Sequence, residues 1–103
     1  MKDKILDDIV SKIRHLINPD KIILFGSRAR GEAKPNSDYD LLVIKSGLKS
    51  ERKATQDLYE FLDVKADIDL IVKTPESIEK SKQRIVSVVK EAIKEGKVIY
   101  EGI

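Results

Sequence analysis

Residues 38–44, DYDLLVI, restrict the possible folds more than any other stretch of the chain. In an extended strand side chains alternate, so Asp38, Asp40, Leu42 and Ile44 share one face and Tyr39, Leu41 and Val43 the other. Such a strand carries two like charges at its head and then runs into a core. A second segment, ADIDLIV (66–72), repeats the arrangement with Asp67 and Asp69 on one face. Two carboxylates held together repel each other and resist burial unless a positive group lies between them. A divalent cation would satisfy both. Oxygen ligands, with no cysteine in the chain and no histidine nearby, favour Mg²⁺ or Mn²⁺ over zinc. If the two strands are neighbours, Asp67 or Asp69 completes a three-carboxylate cluster able to hold two metals, the third acid accepting a proton from an attacking hydroxyl.

The remaining periodicities build a frame for those strands. Residues 3–17 place Ile5, Leu6, Ile9, Val10, Ile13, Leu16 and Ile17 on one helical face, and Asn18-Pro19 stops the helix. KIILF (21–25) reads as a central strand, apolar on both faces. Residues 50–62 form a helix packing Ala54, Leu58, Phe61 and Leu62. Pro75 opens a helix that runs to about residue 95. Thr74 is its N-cap, Ile78, Ile85, Val88, Val89, Ala92 and Ile93 its buried face, and Gly96 its end. KVIY (97–100) is a short last strand. The order α-β-loop-β-α-β-α-β is that of an α/β sheet domain. With 103 residues, 41% hydrophobic and 37% charged, residues 1–103 are expected to form one globular domain with a single core.

Composition excludes several classes. No apolar stretch is long enough to span a membrane, and the N-terminus carries acids within its apolar segment, unlike a signal peptide. With cysteine absent, the expected location is cytoplasmic, with no membrane partner. A net charge of +2, from 20 basic and 18 acidic residues, lacks the lopsided basic surface of a nucleic-acid binder. The wealth of Lys, Glu and Ile suits a thermophile.

The strand KIILF runs directly into Gly26-Ser27 and then Arg28 and Arg30. A glycine there lets a polyphosphate approach the backbone, and Ser27 and free turn amides can donate to it. The two guanidinium groups suit phosphate oxygens. Each feature alone is common in ordinary turns. Together with three acids they describe a metal–nucleotide site. GSRARG lacks the second glycine of a dinucleotide-binding loop, and there is no Gly-Lys-Ser/Thr for a P-loop.

Gly26-Ser27, a ten-residue spacer and Asp38-Tyr39-Asp40 resemble the signature of the DNA polymerase β-like nucleotidyltransferase superfamily. GSRARGEA, SDYDLLV and DIDLIV together resemble its minimal nucleotidyltransferases (MNT), and the resemblance covers nearly the whole chain. It implies a small mixed sheet flanked by helices. It also implies Mg²⁺ held by Asp38, Asp40 and Asp69, a triphosphate held at Gly26 and Ser27, and ATP as substrate. Asp69 is preferred to Asp67 because the family's third acid directly precedes an apolar run. The family further implies a HEPN-domain toxin as partner, with AMP added to one of its tyrosines by this chain as antitoxin. Two alternatives stand beside that reading: a catalytically silent module that masks a toxin sterically, and a nucleotidyltransferase acting on a small molecule such as an antibiotic. Five aromatic residues and one histidine leave little for an acceptor pocket. His15 is expected at the surface and Tyr39 in the core.

Overall fold

The fold comes from a computed structural model, which describes residues 3–84 and 87–102. Helix α1 (Lys4–Ile17) is started by Asp3, whose carboxylate accepts from the amides of Ile5 and Leu6 at 3.0 and 3.1 Å. It ends at Asn18, in the left-handed region at φ 46°. Strand β1 (Lys21–Phe25) leads without a linker into a single-turn helix, α2 (Ser27–Arg30), and β2 (Tyr39–Ile44) follows. Helix α3 (Glu51–Phe61) is capped by Ser50. After it come β3 (Ile68–Lys73), α4 (Pro75–Ser81) capped by Thr74, α5 (Val88–Glu95) capped by Ser87, and β4 (Lys97–Glu101).

The strands form one mixed sheet in the order β3-β2-β1-β4. β1 is antiparallel to both β2 and β4, whereas β2 and β3 run parallel, with α3 as the crossover. Alternation along the strands feeds two cores. One face sends Ile22, Leu24, Tyr39, Leu41, Val43, Leu70 and Val72 toward Ile9 and Ile13 of α1 and Ala54 and Leu58 of α3. The other sends Ile23, Phe25 and Leu42 toward Ile78 of α4 and Val89 and Ala92 of α5. Burying a side chain of Leu or Ile size stabilises by about 1.5–3 kcal/mol, so these two layers dominate the fold.

The single helix expected over 75–95 is two helices. The break includes a turn at Lys82–Gln83, and Ile85 lies outside the described residues. Ser87 accounts for the restart: its hydroxyl accepts from the amides of Val89 and Lys90, an N-cap geometry that a helix interior does not offer. Val88 and Ile93, expected in the core, are exposed, and so in good part is Phe61 of α3. Ile5 and Leu16 likewise stand at the edge of α1's apolar face rather than within it. Among the described residues no helix is long and apolar enough to cross a membrane.

Candidate active site

Gly26 sits where β1 becomes α2, at φ 74° and ψ −157°. That region is open essentially to glycine alone. There is a second reason for glycine: a Cβ at this position would collide with Oδ2 of Asp40 and lie 3.1 Å from its Cγ. The Asp40 carboxylate therefore packs directly on the bare Cα of the turn. Ala29 and Arg30 return their amides to the Gly26 carbonyl at 3.1 and 3.2 Å. The amides of Ser27 and Arg28 lie ahead of this first turn, where the helix offers them no acceptor.

Register sets the acids. Phe25 of β1, Asp40 of β2 and Asp69 of β3 are successive cross-strand neighbours. Adjacent strands lie about 4.8 Å apart and paired residues share a face, so Asp40 and Asp69 form a side-by-side carboxylate pair on the α4/α5 side of the sheet. Asp38 lies one residue before β2 and is exposed. Burial first, then the negative charges of Asp69 and Asp38, push the Asp40 carboxyl above its ordinary range, while Arg30 pulls it back. None of the ion pairs among the described residues involves Asp38, Asp40 or Asp69.

Of the two candidates for third acid, Asp69 is the one in register with Asp40 and felt by it. Asp67 precedes β3, is exposed, and its carbonyl accepts from the Tyr39 amide at 2.9 Å. An open groove of about 520 Å³ is lined by Gly26, Ser27, Arg30, Asp38, Asp40 and Glu91, among others. The fold thus brings five of the seven expected residues to one groove, with Asp69 next to Asp40 across the strand pair. Arg28 is not among them. It lies on the opposite side of the sheet, with its guanidinium 3.9 Å from the centroid of the Tyr39 ring. Arg30 reaches the groove already engaged, by Glu32 at 2.8 Å and Glu95 at 3.7 Å. The Glu32 hydrogen bond and charge lead in raising its pKa, with Glu95 and Glu91 adding to them. Glu91, which lines the groove, and Glu95, which pairs with Arg30, were missed by sequence reasoning, since a charged position on an amphipathic helix carries no local sign of either role.

Three oxygen-donor side chains of like charge, none of them in an ion pair among the described residues, have the chemistry of a divalent-cation site. Among the described residues no three acidic or histidine side chains are already drawn into coordination around a point. In donor type the set suits a hard cation. His15 is exposed and stacks on Phe61, and Tyr39 is buried, both as expected.

Comparison with known proteins bears on the family and the fold. Residues 7–102 match the family described as Polymerase beta, Nucleotidyltransferase. A 54-residue stretch is 46% identical to a candidate protein adenylyltransferase, MJ1305, of Methanocaldococcus jannaschii, covering 50% of this chain but only 37% of that protein. The fold resembles the crystal structure of a candidate nucleotidyltransferase from Sulfolobus solfataricus, with a TM-score of 0.68 and 21% identity over 95% of this chain and 78% of the other. It also resembles a toxin–antitoxin crystallised with AMP-PNP, with a TM-score of 0.61 and 24% identity over 93% of this chain and 73% of that one. A third neighbour is the toxin–antitoxin MntA–HpeT carrying two Asp-to-Glu substitutions, with a TM-score of 0.57 and 22% identity over 93% and 72% of the two chains. At these identities the structural likenesses establish the fold.

Proposed function

This chain belongs to the polymerase β nucleotidyltransferase family, and on that footing we propose that it transfers a nucleotidyl group, AMP from ATP, to a hydroxyl on a protein. The observation that carries the reading is the in-register pair Asp40 and Asp69, with Asp40 seated on Gly26 beside the serine turn. In this reading Ser27 and the leading amides of α2 hold the β- and γ-phosphates, with Arg30 alongside. The acceptor oxygen forms a bond to the α-phosphorus, the bond to the β-phosphate oxygen breaks, and pyrophosphate leaves. Asp69 takes the proton of the attacking hydroxyl. Asp38, Asp40 and Asp69 would hold Mg²⁺, which supplies a lowered acceptor pKa and offsets charge on the leaving group. Alignment of the reacting groups along the groove provides much of the rate.

The acceptor we propose is a tyrosine of a HEPN-type toxin that this chain neutralises. The protein adenylyltransferase match supports a protein acceptor, the AMP-PNP in one structural neighbour supports an adenine nucleotide, and the toxin–antitoxin neighbours support a toxin as partner. The test is incubation with labelled ATP, Mg²⁺ and a HEPN-type toxin as the proposed acceptor. Wild type transfers label and Asp40→Asn does not. Equal transfer by the two would defeat the proposal, and label on a small molecule in place of the toxin would defeat its acceptor.

A further inference from the structure

We infer that Arg28 is a positioning residue that fixes Asp38 for cation binding by gripping the residues on either side of it. The inference rests on the active-site reading above and goes beyond it. The Arg28 guanidinium donates from Nε at 3.1 Å and from Nη2 at 2.8 Å to one acceptor, the carbonyl of Ser37, directly before Asp38. Nη2 also donates to the carbonyl of Pro35 at 3.3 Å. The plane lies over the ring of Tyr39, directly after Asp38. The last nitrogen, Nη1, is 3.9 Å from Oδ2 of Asp3, and that same oxygen accepts from the Tyr39 hydroxyl at 2.7 Å.

Asp38 needs such help. It is exposed, it lies outside β2, and the segment before it is a surface turn. That turn is closed from within by Ser37, whose hydroxyl accepts from the Lys34 amide at 2.9 Å and whose amide donates to the Lys34 carbonyl at 3.0 Å. Among the described residues no hydrogen bond from residues 34–37 reaches a strand; Arg28 holds the turn to α2 and, through the Tyr39 ring, to β2. Because Arg28 is the second residue of α2, the tie runs from the serine turn to the acid loop and fixes their separation. The side chain is only 16% exposed, its Nε and Nη2 donors are taken by Ser37 and Pro35, and Nη1 lies 3.9 Å from Asp3 Oδ2, all on the face away from Asp40. Its hydrogen-bonded donors therefore do not point into the groove that holds Ser27 and Asp40. Lysine cannot replace Arg28, since a single ammonium cannot both stack on Tyr39 and reach several acceptors in one plane.

The decisive measurement is Mn²⁺ binding without nucleotide, followed by the resonance signal of free Mn²⁺, in wild type, Arg28→Lys and Asp40→Asn. Removing a group that orients a metal ligand typically weakens binding 10–100-fold, so Arg28→Lys is expected to raise the Mn²⁺ dissociation constant by about tenfold or more. Half-saturating ATP at saturating Mn²⁺ should stay unchanged. Wild-type Mn²⁺ affinity in Arg28→Lys would overturn the inference. So would a raised ATP requirement with Mn²⁺ affinity intact, which would mark a direct phosphate contact. Hydrogen exchange of the amides of residues 33–38 in metal-free protein tests the grip itself. It should speed up in Arg28→Lys while β1 and β2 stay protected, and unchanged exchange would refute it. Arg28→Gln serves the same readouts if the lysine variant does not fold. Equal Mn²⁺ binding by wild type and Asp40→Asn would defeat the active-site reading and the purpose of the grip, while the exchange result would still decide whether the grip exists.

Discussion

The two faces of the sheet at the head of β2 are built on opposite electrostatic plans. On the α1 side, Asp3, Arg28 and Tyr39 form a closed set in which acid, guanidinium and phenol each find a partner. Burial opposes ionisation of Asp3, yet the Tyr39 hydroxyl, the amides of Leu6 and Ile5 and the Arg28 charge together hold its carboxyl below the ordinary range. Burial and the hydrogen bond to Asp3 push the Tyr39 phenol up. On the other side, one residue along the strand, Asp40 is pushed up, the reverse of Asp3, by burial and by its acidic neighbours. The same residue type is thus satisfied on one face and left unsatisfied on the other. An arrangement that sacrifices stability at a defined point of an otherwise well-compensated domain is what a binding site requires.

That contrast can be tested from its strongest consequence downward. Asp69→Asn should lower label transfer by about 10³-fold, the order expected for losing a proton-accepting or cation-holding carboxylate, whereas Asp67→Asn should stay near wild type. Equal loss in both would erase the distinction drawn by strand register. Gly26→Ala should destabilise by about 1–3 kcal/mol, because alanine is strained at that φ and ψ and its methyl meets Asp40. Denaturant melts would register this as a lowered midpoint. Tyr39→Phe deletes the hydroxyl bound to Asp3 and should cost about 1 kcal/mol. Because the Asp3 carboxyl lies below its usual range when folded, its contribution is complete above the ordinary carboxylate range and fades as pH falls through its folded pKa. The difference between Tyr39→Phe and wild type should shrink on acidification, and a constant difference would show that Asp3 is not involved.

The smallest effect on stability has the opposite sign. Asp40→Asn, measured without metal, should raise Tm by about 2–4 °C at neutral pH while abolishing transfer. The Asp40 carboxyl is raised in the folded state, so its penalty is full above that raised pKa and disappears below the ordinary carboxylate range. The gain should therefore vanish in acid. Thermal melts across pH would show it, and a variant no more stable than wild type at pH 7 would mean that the acid face is as well compensated as the other.

Much of this was legible before any coordinates. Gly26-Ser27 and Asp38-Tyr39-Asp40 point to the candidate site through spacing, and alternation in the strands assigned each acid a face. The adjacency of β2 and β3 was a condition that periodicity could not supply, because strand order depends on long-range pairing. The helix over 75–95 went wrong for a related reason: Ile78, Val89 and Ala92 fall on one face of a continuous helix, so a broken helix with the same residues buried leaves the pattern intact. Only the capping role of Ser87 separates the two, and a serine alone is weak notice of a cap. Arg28 was expected, with Arg30, to meet phosphate because both directly follow Gly26-Ser27 and guanidinium groups suit phosphate oxygens. On a turn as short as α2, successive side chains point in different directions, and sequence does not say which one looks inward.

The parallel pairing of β2 with β3 has a kinetic corollary. Asp40 and Asp69 belong to strands separated by the whole of α3 and its flanking loops, so no local hairpin can bring them together. Closing so long a segment is entropically slow compared with forming α1 or the β1–β2 pair. During refolding, helical signal should return first and affinity for a divalent ion last, making ion uptake a clock for completion of the sheet.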